Sequence, residues 1–292
     1  MTLPLFLLLF SVAVLSSVIG AVGAVYAGVV DLPGGRRTHI GAIPRVGGVA
    51  VFIPLLLLLP TLVPSSGLYF PLALGVGGLC LLGTLDDAFG LSPLLRLVIE
   101  GALSFLVLRP TLPSARASEL VLLLLFTLAL INSANFLDGI DALLLCLALP
   151  PLLALSLASA TVAPIALAVC ALLLGFLPWN LPRARIFLGD GGSTTIGFLL
   201  AYLAIVALYC DSLASDAGVF SARLPLFLLL FFVFWLDLAL TVGGRILRGV
   251  SPFHPDRTHI HHRLSSLVSE RAARLLLLSL SLLSSLLFLL FV

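Results

Sequence analysis

The sequence predicts an all-α integral membrane protein with about ten transmembrane helices, built as a single domain over residues 1–292. Three observations predict it. The chain is 61% hydrophobic and only 10% charged, against roughly 25% charged residues in a soluble domain, and its mean hydropathy is +1.27. Its length accommodates about ten spans of roughly 20 residues with short connections. The connections also alternate between polar and bland, as loops on opposite sides of a membrane do.

Cut at charges, at Gly and Pro and at polar clusters, the apolar runs give helices near 3–30, 47–64, 71–85, 93–109, 119–137, 142–159, 162–178, 193–210, 223–243 and 272–292. The first begins Met1-Thr-Leu-Pro without a basic segment and is too long for a signal-peptide core, so it reads as a retained span. The stretch 142–178 has no charge and is broken only by Pro150-Pro151, Ser159 to Thr161 and Pro164. At 37 residues it is too long for one span and fits two short ones. Cys80, Cys146, Cys170 and Cys210 lie inside or at the ends of apolar runs with no CxxC spacing, and read as small buried hydrophobes.

Residues 31–46, 86–92, 138–141, 179–192 and 244–271 are rich in Arg, His, Asp and Gly, whereas 65–70, 110–118, 160–161 and 211–222 are bland. All fifteen basic residues are Arg; three of them, Arg109, Arg116 and Arg223, fall on or beside the bland set and the other twelve on or beside the polar set. The positive-inside rule puts the polar set in the cytoplasm and both termini outside. Ten spans bring every polar cluster to that one face. Reading 142–178 as one helix would set 138–141 against 183–193.

Five clusters carry chemistry. Asp31 to His39, with Ile43 to Gly48, supplies Arg36, Arg37, His39 and Arg45 as anion contacts and a glycine-rich helix entry that lets a ligand approach the backbone. Asp86-Asp87 ends an apolar helix, with Arg96 in the next; adjacent carboxylates there call for a divalent or cationic partner. Asn132, Asn135, Asp138 and Asp141 follow a run of almost pure hydrocarbon, where polar groups are expensive unless something binds them. If the helix continues, Asn135, Asp138 and Asp141 share a face at i, i+3, i+6; if Gly139 breaks it, the acids turn into the cytoplasmic mouth. Oxygen-only ligands suit Mg²⁺, or Mn²⁺ in its place, better than zinc. Arg183 to Thr195 reads as strand or loop, then Asp190 in a glycine turn, then a helix N-terminus that attracts phosphate. Asp190 reads either as the ligand of a metal bridging phosphates or as a helix cap. His254 to Arg263 sets His259, His261 and His262 beside Arg257 in the longest polar connection; imidazoles beside arginines suit a diphosphate and its leaving group better than zinc. Asp237 and Glu100 lie within spans; each is placed to pair with an Arg or to line the cavity, and neither is assigned a catalytic role.

Asp86-Asp87 with Arg96, the Asn132/Asn135/Asp138/Asp141 run, Phe187-Leu-Gly-Asp190 and His259-Ile-His-His262, in this order, resemble the polyprenyl-phosphate N-acetylhexosamine-1-phosphate transferases. The resemblance covers about residues 31–263, and the His-Ile-His-His form is similar to the bacterial branch that uses undecaprenyl phosphate and GlcNAc 1-phosphate. It implies a helical bundle with a cytoplasmic-facing active-site cleft in the bacterial inner membrane, a UDP-HexNAc donor, an undecaprenyl phosphate acceptor, UMP release and Mg²⁺. It implies a start to lipid-linked envelope glycan synthesis, O-antigen or a related polymer. No nucleic-acid partner is expected, and a homodimer is compatible with the resemblance. Asp190, with Asn135, is implied as the metal site. Asp86, Asp87, Asp138, Asp141, Asp190, His259, His261 and His262 are the implied catalytic residues. Arg36, His39, Arg45, Arg96, Asn132, Asn135 and Arg257 are the substrate contacts. Arg96 replaces a Lys usual in the family, and Ala142 a Gly.

The chemistry agrees with that reading. A lipid phosphate has a second pKa of about 6 and is mostly dianionic at neutral pH. The difficulty is to bring it against an anionic diphosphate, which a metal, arginines and a helix N-terminus address. Direct attack on the β-phosphorus is the expected route; a covalent route through Asp86 or Asp87 stays open at this point. Transfer of QuiNAc, FucNAc or MurNAc-pentapeptide phosphate is the alternative reaction. An anion transporter, which would bind its solute at the midplane between repeats, agrees less well with charges crowded on one face and no visible repeat.

Overall fold

The structure is a computed structural model and describes residues 1–31, 41–63, 66–207, 219–251 and 258–292. The described residues form α1 (Leu3–Ala27), α2 (Gly47–Leu62), α3 (Ser66–Phe89), α4 (Pro93–Thr111), α5 (Ala117–Leu137), α6 (Leu143–Ala158), α7 (Ala163–Asn180), α8 (Asp190–Ile205), α9 (Val219–Leu230), α10 (Phe232–Leu247), α11 (Ile260–Leu267) and α12 (Glu270–Leu289). A helix satisfies its own backbone groups, which is what long apolar runs in a low-dielectric surrounding require. Five helices, α1, α3, α5, α7 and α12, are long and apolar enough to cross a membrane, and a sixth span results if the bent α9–α10 pair is counted as one.

Each helix expected from the apolar runs is present. The uncharged stretch 142–178 divides into α6 and α7, and Pro150 and Pro151 lie inside α6 without ending it. Two features depart from expectation. The ninth run is bent by 82° between Leu230 and Phe232. Phe126 of α5 fills this elbow, with ring centroids 4.8 Å from Phe227, 6.1 Å from Phe231 and 5.4 Å from Trp235, so aromatic packing across two helices supports the bend. The polar connection after α10 is not all loop, because α11 forms within it.

α8 is the centre of the bundle. Every residue from Gly191 to Ile205 is buried, and the helix packs on α3, α5 and α2. It touches α3 backbone to backbone at Gly83, where a Cβ would lie 2.3 Å from the carbonyl carbon of Asp190. α1 packs on α7, and α12 on α6. Leu15, Ile19, Val22 and Val25 along α1 are exposed, a surface that lipid rather than water would cover.

The N-terminus of α8 is aimed by a small backbone clamp. β1 (Val30–Asp31) and β2 (Ile43–Pro44) pair antiparallel, Val30 opposite Pro44 and Asp31 opposite Ile43. The Pro44 carbonyl accepts from Phe187 N–H at 2.8 Å, and Gly47 and Gly48 N–H donate to the carbonyls of Phe187 and Leu188 at 3.0 and 2.8 Å. The first amides of α2, which no helical carbonyl can satisfy, thereby hold the segment that leads into Asp190.

Candidate active site

The ends of α3, α4, α5 and α8 meet in one polar cluster. Asp86 and Asp87 lie in the last turn of α3. Ser92 caps α4 by accepting from Leu95 N–H at 3.3 Å, and this start places Arg96 in the first turn, facing back. Arg96 Nη1 donates to Asp86 Oδ2 at 2.9 Å and to Asp190 Oδ2 at 3.2 Å, joining elements 94 residues apart. Its Nε lies 3.5 Å from Glu100 Oε1, one helical turn on. Asp86 Oδ1 accepts from Leu91 N–H at 2.7 Å. Asp87 accepts from Arg45 Nη1 at 3.0 Å and from the backbone N–H of Asp190 at 2.7 Å. The other arm of Arg45, Nη2, lies 3.3 Å from Asp31. Asn135, in the last turn of α5, donates from Nδ2 to Asp190 Oδ1 and to Ser193 Oγ, each at 3.0 Å.

Asp190 is the first residue of α8 and Gly189 its N-cap, without a side-chain cap bond of its own; the first amide of the helix, that of Asp190, is taken by the Asp87 carboxylate, so the capping role allowed for Asp190 falls to Asp87. Its side chain is 33% exposed, against 10% for Asp86 and 4% for Asp87, which makes it the acid with room for a ligand.

Of the two arrangements left open for Asn135, Asp138 and Asp141, the shared helical face does not form. α5 ends at Leu137, Asp138 is its C-cap, and the chain turns. The Asp138 carboxyl has no hydrogen bond among the described residues; burial, then the Asp190 and Asp87 carboxylates, push its pKa well above the ordinary range, with Arg45 opposing. Asp141 joins the following loop, where its Oδ2 accepts from Ala184 N–H at 2.9 Å and its carbonyl accepts from Arg274. Asn132 is engaged within the protein: its Nδ2 donates to Glu100 Oε2 at 3.0 Å and to the Leu128 carbonyl at 2.9 Å.

The histidines form a packed layer against the end of α5. His259 is the N-cap of α11, and its ring packs on Phe136 at 4.8 Å. His261 is 0% exposed and neither ring nitrogen has a hydrogen-bond partner among the described residues. Burial, followed by the charge of His262, pushes its pKa down to about 3, so it is neutral at physiological pH. It stacks parallel to His259 at 5.6 Å and lies 4.2 Å from His262. A Cβ at Gly139 would meet His261 Nε2 at 2.1 Å, so the glycine admits the ring. The sequence reading gave His261 to an anion; the structure gives it to packing. Arg36, Arg37, His39 and Arg257 lie outside the described residues.

Three supports surround the site, and of these the sequence anticipated the pairing of Glu100 with an arginine. Glu100 and Asn132 brace Arg96 from behind. Asn180 accepts from Ala142 N–H at 2.6 Å and donates to the Ile186 carbonyl at 2.8 Å, tying the 138–142 turn to the segment before Asp190. Asp237 holds His259. The Arg96/Glu100 pair was legible from its i, i+4 spacing; Asn180 left no such signal. Cys80 and Cys170 are buried and Cys146 half-buried, all three free thiols, as expected; Cys210 lies outside the described residues.

Apolar helices carrying acids, amides and arginines at convergent ends define a multi-pass membrane protein with one polar cluster where those ends meet. Comparison with known proteins gives the family. A family model described as "Glycosyl transferase family 4" matches residues 69–208. The chain is 32% identical to the "Decaprenyl-phosphate N-acetylglucosaminephosphotransferase" of Mycobacterium tuberculosis (strain ATCC 25618 / H37Rv), over 81% of this chain and 69% of the relative. It is 31% identical to the "Probable undecaprenyl-phosphate N-acetylglucosaminyl 1-phosphate transferase" of Bacillus subtilis (strain 168), over 82% and 71%. It is 30% identical to the "Undecaprenyl-phosphate alpha-N-acetylglucosaminyl 1-phosphate transferase" of Escherichia coli (strain K12), over 88% and 75%. The chain belongs to glycosyl transferase family 4.

Proposed function

We propose that this protein transfers N-acetylglucosamine 1-phosphate from UDP-GlcNAc to undecaprenyl phosphate, releasing UMP and starting a lipid-linked envelope glycan. The observation that carries the reading is the convergence of Asp86, Asp87, Arg96, Asn135 and Asp190 within hydrogen-bond distance, in a chain whose relatives are named for this transfer to polyprenyl phosphates. The bundle crosses the bacterial inner membrane ten times: the five long helices, α2, α4, α6, α8 and the bent α9–α10 pair. The cluster lies at the cytoplasmic mouth, on the side that the arginine bias assigns.

The oxygen-only set around Asp190 fits Mg²⁺. Among the described residues no three His, Cys, Asp or Glu side chains form a ready metal site. That agrees with an ion that takes one or two carboxylates, keeps several waters and completes its shell from substrate phosphates. Asp190 would hold it with Asn135 beside it, and the ion would supply charge neutralisation at the diphosphate.

Within this reading the protein's own groups align two anions. Arg45 and Arg96, held by acids in the structure, are the guanidinium groups at hand for phosphate oxygens. The lipid phosphate needs little deprotonation and attacks the β-phosphorus directly: its oxygen forms the new P–O bond, and UMP leaves with the electrons of the broken one. Asp87 supports this assignment, because both its oxygens already accept hydrogen bonds, a poor state for a nucleophile.

The test uses purified protein, Mg²⁺, undecaprenyl phosphate and UDP-GlcNAc. UMP and lipid-linked product should form one for one, and neither should form without the lipid phosphate. Turnover only with another UDP-HexNAc would change the sugar, radiolabelled sugar phosphate bound covalently to the protein would contradict the direct route, and no turnover with any nucleotide sugar would overturn the reading.

A further inference from the structure

The Arg96 guanidinium is a rigid plane engaged at two of its three nitrogens. Nη1 donates to Asp86 Oδ2 at 2.9 Å and to Asp190 Oδ2 at 3.2 Å, and Nε faces Glu100 Oε1 at 3.5 Å. Fixing two nitrogens of a planar group fixes where the third points. That third nitrogen, Nη2, has no hydrogen-bond partner among the described residues, and the side chain is not sealed in the core.

The hold on Nε comes from behind. Glu100 is 0% exposed, a position in which a carboxylate is costly unless donors or cations reach it. Its Oε2 accepts from Asn132 Nδ2 at 3.0 Å. Its Oε1 has no hydrogen bond among the described residues, and Arg96 Nε is the cation that faces it. The other hydrogen of Asn132 Nδ2 goes to the Leu128 carbonyl at 2.9 Å, so both donors of this amide are spent within the protein. One turn further along α5, Asn135 donates to Asp190 Oδ1 at 3.0 Å. A ring of contacts therefore closes: Asn132 to Glu100, Glu100 to Arg96, Arg96 to Asp190, Asp190 to Asn135, and back through a single turn of α5. Packing alone does not account for an acid at position 100, since buried ionic groups are often replaceable by apolar ones without loss of stability. Aiming Arg96 does.

We propose that Glu100 and Asn132 are positioning residues that act through Arg96. They lock its guanidinium so that Nη1 bridges Asp86 and Asp190 while Nη2 is kept for an anionic oxygen of the substrates. The proposal rests on the function proposed above. It moves Asn132 from the substrate contacts that the resemblance implies to the support behind Arg96.

The experiment labels the full chain with ¹⁵N-arginine in detergent, assigns the Arg96 Nε–H resonance by its loss in Arg96→Ala, and measures its relaxation beside UMP release. In wild type this group should be as rigid as the backbone. Glu100→Gln keeps the shape and removes the charge; the Arg96 Nε–H should become mobile, and kcat/KM should fall by about tenfold, as expected when the hold on the fork is lost. In an Arg96→Ala background the same Glu100→Gln change should cost less than about twofold further, because nothing is left to position. Asn132→Ala should move both readouts the same way by less, and it decides the matter if Glu100→Gln does not fold. Unchanged Arg96 mobility, unchanged kcat/KM, or a loss as large in the Arg96→Ala background as in wild type overturns the proposal. Wild type that turns over no nucleotide sugar sinks the functional reading and with it the catalytic half of this one; the relaxation arm then still shows whether Glu100 holds Arg96.

Discussion

Around Asp190 the acids meet arginines and amides within hydrogen-bond distance, whereas around His261 two buried ring nitrogens have no hydrogen-bond partner among the described residues. In the first region Arg96 bridges Asp86 and Asp190, Arg45 bridges Asp31 and Asp87, and Asn135 completes Asp190. In the second, His261 lies between His259 and His262 over Gly139, with neither nitrogen bonded to a described residue. Both regions close on the last turn of α5. Charge compensation therefore organises one side of that turn and shape the other, and the two should fail differently when perturbed.

The largest effect is expected on the charged side. Arg96→Ala leaves the Asp86 and Asp190 carboxylates facing each other without their shared cation, and kcat/KM for UMP release should fall by about 10³-fold. Arg96→Lys keeps the charge but not the fork that reaches two acids and Glu100, and should cost about tenfold. Equal losses for the two variants would show that charge alone, without geometry, is what Arg96 supplies.

On the packed side the break is steric. Gly139→Ala puts a methyl group into His261, and the overpacking should cost about 1–3 kcal/mol of stability. The double variant Gly139→Ala/His261→Ala should recover part of that, with a coupling of at least about 0.5 kcal/mol in thermal melts. Strict additivity would separate the two residues and refute the contact as the reason for the glycine.

The smallest effect is on pH. The pKa of His261 is depressed from 6.5 to about 3 in the folded protein. Between those values the unfolded chain binds a proton that the folded one refuses, so stability falls as pH drops below 6.5. At pH 5.5 the loss should be about 1 kcal/mol relative to pH 7.5. His261→Phe should remove that part of the pH dependence of the melting temperature; a pH profile identical to wild type would contradict the burial of a neutral ring.

The same contrast explains what could be read from the sequence. The apolar runs became helices at nearly the expected places because a run such as 120–131 has no other way to satisfy its backbone in hydrocarbon. Asp86, Asp87, Asn135 and Asp190 stood out because charge and amide are conspicuous there, and they do converge. Contacts set by shape were not legible. Asp141 looked equivalent to Asp138 at helical spacing, but the turn after Leu137 sends it to Ala184. His261 looked equivalent to His259 and His262, and only the three-dimensional packing on Gly139 distinguishes it. Asp237 was read as pairing with an Arg or lining the cavity, whereas it binds His259 and the Ile260 N–H, and Thr241 and Arg245 on the same face signalled a polar stripe. The elbow at Phe231 depends on Phe126, more than a hundred residues away, and no local signal could have marked it.

The central claim is that the acid–arginine cluster is the transfer centre, and the most direct measurement compares UMP release by wild type and Asp190→Asn in matched, folded preparations with undecaprenyl phosphate, UDP-GlcNAc and Mg²⁺. Asp190→Asn should melt near wild type, because its side chain is only half-buried and the amide has the same shape, and should lose about 10³-fold or more in turnover, as removal of a group that stabilises transition-state charge does. Asp190→Asn that turns over at the wild-type rate would place the chemistry elsewhere and contradict the account.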